Sequence, residues 1–177
     1  MKFLLISDNH GHYNLVQEII RAFGPQVDYI FHCGDSEFPY EDSIWQQVDL
    51  KVKGNMDFYP AFPDSETIET PVGKVVLVHG HKHHVNQSNQ GVLELAQNEG
   101  AKFAFHGHTH KLYAEYRQGV LLVNPGSLAH SRGPVNARTF AIVVISDNGY
   151  RVDYYDETRA YLESLSQYFE INGADSL

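Results

Sequence analysis

The first cluster of apolar positions is Phe3-Leu4-Leu5-Ile6, cut off by the polar stretch SDNHGH. A short apolar run bounded by turn-prone residues marks a strand buried on both faces, so residues 2–7 are expected to form one. Leu15, Val16, Ile19, Ile20 and Phe23 then recur at helical spacing, and Gly24-Pro25 ends the pattern. The unit repeats: Asp28 to Cys33 reads as a strand ending at Gly34-Asp35, a short helix fits residues 41–48, and Asp49 to Lys53 reads as a strand ending at Gly54-Asn55.

From residue 65 the pattern changes to hairpins. TIETPVGKVVLVHG turns at Pro71-Val72-Gly73, and KLYAEYRQGVLLV turns at Gln118-Gly119. Between them Val92, Leu93, Leu95 and Ala96 predict a helix before the strand AKFAF. ARTFAIVVI and YRVDYY flank Ser146-Asp147-Asn148-Gly149, a hairpin signal centred on Asn-Gly. Tyr161, Leu165, Tyr168 and Phe169 predict a C-terminal helix, and the tail NGADSL is expected to fray. β-α units followed by hairpins predict an α/β fold: two packed mixed sheets with helices outside, in one domain over residues 1–177. Strand order is left open.

Composition narrows the function classes. The chain carries 13 Lys and Arg against 22 Asp and Glu, a formal charge of −9, the wrong sign for an extended nucleic-acid groove. The lone Cys33 excludes an internal disulfide. The N-terminal apolar run is too short for a signal peptide or a membrane span, so the expected setting is cytoplasmic, without a membrane partner. Histidine stands out, with 11 residues, and calls for a search for metal ligands.

Five segments answer that search. Asp8-Asn9-His10 follows the first strand, and a two-residue step in extended backbone would turn Asp8 and His10 the same way. The second SDN, at 146–148, is followed by Gly149 and reads as a plain hairpin. Gly34-Asp35 and Gly54-Asn55 also follow strands; either pair alone is turn chemistry. Ligands of open α/β sheets bind beyond the carboxyl ends of the strands, so Asp8, Asp35 and Asn55 would share one edge. His79 ends the strand VVLVHG and reads as a ligand, whereas His81, Lys82, His83 and His84 belong to a polar loop from which His81 is a candidate substrate contact. His108 and His110 in GHTH present two imidazoles from one stretch. His32 and His106 fit a ligand-supporting role or a hydrogen-bonded core role equally well. The set Asp8, His10, Asp35, Asn55, His79, His108 and His110 suffices for two divalent ions. With a shared hydroxide the site would carry about +1 and attract an anionic phosphoryl group.

In this order, D-x-H, GD, GN, HG and GHTH, the chain resembles the calcineurin-like metallophosphoesterase superfamily, from Asp8 to the NPGS loop at 124–127. Its short length and the form Gly54-Asn55-Met56-Asp57 are most similar to the small bacterial and archaeal YfcE-type phosphodiesterases. The resemblance implies a four-layer α/β/β/α sandwich and a dinuclear centre supplied with manganese, with iron, zinc or nickel as alternatives. It implies that Asp8, His10 and His110 hold one ion, that Asn55, His79 and His108 hold the other, and that Asp35 bridges them. Catalysis would then run through Asp8, Asp35, Asn55 and His79, by attack of a metal-bridging hydroxide on a small phosphodiester or other phosphate ester.

Many relatives place a proton-donating His after this Asn; here that place holds Met56, which favours diesters over ordinary monoesters. Asp57 is a candidate substitute acid or an orienting residue. Asn9, His12 and Arg132 are candidate substrate contacts beside His81, and Asn124 and Ser127 are weaker ones. The fold also serves as a non-catalytic scaffold in a retromer subunit, and a phosphomonoesterase or nucleotide pyrophosphohydrolase is a further alternative. Phe38, Tyr40, Phe58, Tyr59 and Phe62 would mark a homo-oligomer interface, line a pocket or pack back onto the domain.

Overall fold

The structure, a computed structural model, describes residues 1–171. The tail NGADSL lies outside the described residues. One mixed sheet is built from β1 (Lys2–Ile6), β2 (Tyr29–His32), β3 (Leu50–Lys51), β9 (Thr139–Ser146), β10 (Gly149–Asp156) and β11 (Gln167–Glu170), in the order β11-β10-β9-β1-β2-β3. The other contains β4 (Ser65–Thr70), β5 (Gly73–Val78), β6 (Phe103–Phe105), β7 (Tyr113–Arg117) and β8 (Val120–Asn124), in the order β4-β5-β6-β8-β7. In the first sheet β1, β2 and β3 run parallel, with Leu5 opposite Phe31 and Phe31 opposite Leu50. In the second β5, β6 and β8 run parallel, with Leu77 opposite Phe105 and Phe105 opposite Val123.

Alternation of side chains sorts the layers. Phe3, Leu5, Phe31, Leu77, Phe103, Phe105, Val143 and Val152 fill the space between the sheets. Phe3 makes edge contacts with Phe31 at 5.4 Å and with Phe103 of the opposite sheet at 5.5 Å. The other face of the first sheet, through Leu4, Ile6 and Ile142, packs on α1 (Tyr13–Phe23) and on the 3-10 turn Ser43–Gln47. Val16, Ile19 and Ile20 form the buried stripe of α1, each worth about 1.5–3 kcal/mol of transfer free energy. The outer face of the second sheet packs Val76, Val78 and Leu122 on Val92, Leu93 and Ala96 of α2 (Gln90–Glu99). The four layers are those expected.

One expectation fails. The C-terminal helix is absent: Glu163–Leu165 is a single 3-10 turn, and β11 pairs antiparallel with β10. Leu165, Phe169 and Ile171 pack on the inter-sheet core, a two-residue step at the last pair, and β11 satisfies backbone groups that a helix would leave open on the edge of β10. Among the loop aromatics, Phe38 and Phe62 turn inward around Trp45, whereas Phe58 and Tyr59 stay exposed. Among the described residues no helix is long and apolar enough to cross a membrane.

Candidate metal centre

Parallel strands of both sheets end at one edge, and the chain turns sharply there. Asp8, His10, Asp35, Glu37, His108 and His110 all adopt positive φ, between 40° and 71°. This overturns the extended two-residue step expected of D-x-H and H-x-H: the paired side chains converge because alternate residues are left-handed, not because the strand continues. Such strain in non-glycine residues is held by the surrounding structure and concentrates at functional sites. Close approach adds a demand for glycine. A Cβ on Gly54 would enter the Asp35 carboxylate, and one on Gly107 would enter Ser7 and Asp8.

All seven residues of the ligand set meet. Asp8 Oδ1 lies 3.2 Å from His110 Nε2 and 3.9 Å from both His10 Nε2 and His79 Nε2. Asp35 Oδ2 lies 3.2 Å from His79 Nε2 and 3.8 Å from His10 Nε2. Asn55 Oδ1 lies 3.1 Å from His79 Nε2 and 3.0 Å from His108 Nδ1. The remaining carboxylate oxygens are occupied: Asp8 Oδ2 accepts the Ser7 hydroxyl and the His108 N–H, and Asp35 Oδ1 accepts the Met56 N–H at 2.7 Å.

The imidazoles are oriented from behind. His79 Nδ1 donates to the Cys33 carbonyl at 2.7 Å, His110 Nδ1 to the His130 carbonyl at 3.0 Å, and His10 Nδ1 to Glu37 Oε1 at 2.8 Å. With those protons fixed outward, three Nε2 lone pairs point at one another and at Asp8 Oδ1, a buried oxygen without a hydrogen bond. Nitrogen and carboxylate lone pairs packed this closely require a cation or shared protons. Groups such as Asp8, His10 and His110, or Asp8, Asp35 and His79, are placed to hold a metal ion.

Electrostatics agree. Burial alone would raise the Asp8 pKa, but the neighbouring His110 and the charge on His79 pull it down to about 2. Burial alone would lower that of His79, yet Asp35 and Asp8 raise it to about 9, so in the metal-free protein a proton takes the cation's place. Asp35 is likewise held below the usual carboxylate range: burial pushes it up, and His79 outweighs that.

Other expected contacts sort differently. Asn9 is fully buried, accepting from His32 Nε2 at 2.7 Å and donating to the Ser36 carbonyl at 3.1 Å, so it ties two loops together and cannot reach a substrate. His12 is exposed at the N-cap of α1, outside the side chains that meet at the centre. His81 is half-buried, its ring 5.3 Å from that of His79 and 6.0 Å from that of His108. Arg132 is exposed beside the centre, its N–H donating to the His110 carbonyl. Asp57 is no acid: its buried carboxylate accepts the N–H groups of Asp35, Gly54 and Glu37 and the Ser36 hydroxyl. Asn124 and Ser127 brace the loops, Asn124 by donating to the Gly107 carbonyl and Ser127 by donating to that of Asp8. Lys82 pairs with Asp64, away from the ligands. Sequence reasoning missed Glu37 and also Asn86, whose amide lies 3.1 Å from His108 Nε2; neither carries a signal in its own motif.

The sequence profile of the calcineurin-like phosphoesterase superfamily domain matches residues 1–148. The chain belongs to this superfamily. A probable metallophosphoesterase, YsnB of Bacillus subtilis (strain 168), is 34% identical over 167 residues, covering 93% of this chain and 96% of that one. A crystal structure from Streptococcus pneumoniae TIGR4, described as a predicted phosphoesterase, has a TM-score of 0.92 at 32% identity and covers 96% of this chain and 97% of its own. Vacuolar protein sorting 29 from Cryptosporidium parvum shares the fold at 19% identity, with a TM-score of 0.76 and coverage of 96% and 98%. Metal binding by Asp and His groups at this edge accords with the superfamily.

Proposed function

We propose that this superfamily member is a metal-dependent phosphodiesterase working on small substrates through two divalent cations, with manganese as the first choice. Asp8, His10 and His110 would hold one ion, Asn55, His79 and His108 the other, and Asp35 would be shared. When bound, the ions supply Lewis acidity to the phosphoryl oxygens and a nucleophile at neutral pH. The observation that carries the reading is the convergence of the Nε2 lone pairs of His10, His79 and His110 on the free Oδ1 of Asp8.

The chain's own residues divide the remaining work. Asp57 and Glu37 fix the loops and the His10 ring. Arg132, exposed beside His110, is suited to meet a non-bridging phosphate oxygen, and His81 borders the cluster where an ester group would lie. Met56, about 40% exposed next to Asn55, has no proton to give, which favours substrates whose leaving groups depart unprotonated. The −9 charge favours small substrates over polymers, and the buried lone Cys33 is compatible with a cytoplasmic setting.

The test is hydrolysis of bis-p-nitrophenyl phosphate by metal-stripped protein with and without Mn²⁺, with Asp35→Asn as control. Metal-dependent turnover lost in the variant is expected. Folded protein without turnover under any divalent ion would transfer the weight to the scaffold reading raised by the fold shared with vacuolar protein sorting 29.

A further inference from the structure

Five large hydrophobic side chains are exposed among the described residues, and three of them, Met56, Phe58 and Tyr59, stand within four residues of the proposed ligand Asn55. Phe58 is 78% exposed, the most of the five. Single exposed apolar residues are ordinary, whereas a group of them beside a site marks a place where something binds. The loop that carries them is held firmly. Gly54 to Asp57 is a closed turn, with the Asp57 N–H donating to the Gly54 carbonyl at 3.3 Å. Asp57 is buried, its carboxylate accepting the N–H groups of Asp35, Gly54 and Glu37, and Met56 and Phe58 on either side of it face outward. Tyr59 rests on Phe62, ring centres 6.5 Å apart, and buried Phe62 packs in turn on Tyr40 and Trp45 at 4.9 and 5.6 Å. The exposure of Phe58 is therefore built into the turn.

The metal cluster is open to solvent at the same turn. Asn55 is exposed, with its Oδ1 3.1 Å from His79 Nε2 and 3.0 Å from His108 Nδ1, and the Met56 N–H donates to Asp35 Oδ1 at 2.7 Å. From Asn55 to Phe58 the chain spans at most about 11 Å, so Phe58 lies within reach of a ring attached to a phosphoryl group at the cluster. Lys82 pairs with Asp64 at 2.6 Å and so ties the loop carrying His81 to the end of this segment. Two occupants suit an apolar patch here, a second copy of the chain and an apolar arm of the substrate. At about 200 Å² for a large side chain, the exposed parts of the three amount to roughly 300 Å². A stable dimer buries roughly 800 Å² per partner. The patch is too small for that and large enough for one ring. Phe58 offers a π-face and no hydrogen-bonding group, so it separates flat rings from short alkyl groups without reading ring nitrogens.

We propose that Phe58, flanked by Tyr59, is a specificity residue that stacks a flat aromatic ring on one ester arm of the substrate while the phosphoryl group lies at the metal cluster. The proposal rests on the phosphodiesterase reading for the ester arm, and the stacking face itself is tested by binding alone. Phenylphosphonate and methylphosphonate, which share an anionic head and differ in the ring, are titrated calorimetrically into manganese-loaded protein. Phenylphosphonate should bind about tenfold more tightly, the lower end of what one stacked ring supplies. Phe58→Ser should abolish that preference and leave methylphosphonate affinity unchanged, and Phe58→Trp, which keeps a π-face, should retain it. Turnover follows: Phe58→Ser should raise the KM for bis-p-nitrophenyl phosphate by about tenfold with kcat close to wild type, the pattern of lost uniform binding. Binding of neither phosphonate by folded protein, equal binding of the two, or a preference that survives Phe58→Ser would each overturn the proposal. A wild-type dimer in sedimentation that Phe58→Ser converts to monomer would assign the patch to a second copy and overturn it as well. A phenylphosphonate preference lost in Phe58→Ser, without turnover of any phosphate ester, would instead overturn the phosphodiesterase reading and leave the stacking face standing.

Discussion

Glu37 Oε1 lies 2.8 Å from His10 Nδ1, and both residues are left-handed, at φ 60° and 40°. The carboxylate reaches from the loop after β2 to orient a ring from the loop after β1. A carboxylate behind a ligating imidazole fixes its tautomer and raises its basicity, and its loss costs about 10–100-fold in metal affinity. Glu37→Ala should therefore weaken Mn²⁺ binding by about that factor, and Glu37→Gln, which keeps an acceptor but no charge, by less. Titration calorimetry on stripped protein checks this; equal affinity in wild type and Glu37→Ala would show that the contact does not orient His10.

Gly54 packs its Cα against the Asp35 side chain, where an added methyl would enter the carboxylate and the Asp35 backbone N. Because both contacts are with a proposed metal ligand, Gly54→Ala must shift Asp35 before anything else. Loss of stoichiometric metal with a far-ultraviolet spectrum close to wild type is expected. Full metal content and activity would mean that the loop yields cheaply.

Met56 stands at the rim, its N–H held by Asp35 Oδ1 while its side chain is solvent-facing. A proton donor at this place should help the leaving group of an unactivated ester. Met56→His is predicted to raise kcat/KM for an alkyl phosphomonoester by about 100-fold, the lower end of general-acid effects, while changing bis-p-nitrophenyl phosphate little. An unchanged monoester rate would remove the explanation offered for diester preference.

The meeting of the seven candidate ligands was legible because glycine and polar residues interrupt apolar runs at several strand ends, and the parallel order brings those ends to one edge. The local geometry was not. A D-x-H spacing permits an extended reading, and only the packing of Asp8 N–H on the Gly34 carbonyl and of His10 N–H on that of Asp35 shows the left-handed turns. Glu37 and Asn86 were invisible because they act across loops that meet only after folding. Asn9 misled for the opposite reason: its place beside the ligands put it inside the structure, bonded to His32. Tyr168 and Phe169 failed as helix residues because they pair with Arg151 and Tyr150 along the free edge of β10, which decided between helical and strand periodicity.

His32 and His79 give the metal-free protein opposite responses to pH. The His32 ring donates from Nε2 to Asn9 Oδ1 and accepts the Gly34 N–H at Nδ1, so a second proton has no acceptor; burial lowers its pKa from 6.5 to about 4. Unfolded His32 takes up a proton below pH 6.5 and the folded ring does not, so its contribution is complete above 6.5 and is lost as pH falls toward 4. His79, raised to about 9 against the opposing effect of its burial, contributes fully below 6.5 and loses that contribution as pH rises through 9. Asp8, held at about 2, stays charged across this window and adds no slope. Stripped protein should therefore be most stable near pH 6.5, His32 and His79 each contributing up to about 3 kcal/mol to its limb. Bound Mn²⁺ replaces the proton shared by His79, Asp8 and Asp35, so loading the metal should flatten the alkaline limb and leave the acid limb; buried His106, likewise lowered to about 4, shares that limb, so His32→Gln should remove about half of it. Urea unfolding from pH 4.5 to 9, with chelator and with Mn²⁺, reads both. An alkaline limb that persists in the loaded protein would mean that His79 keeps its proton and is no ligand.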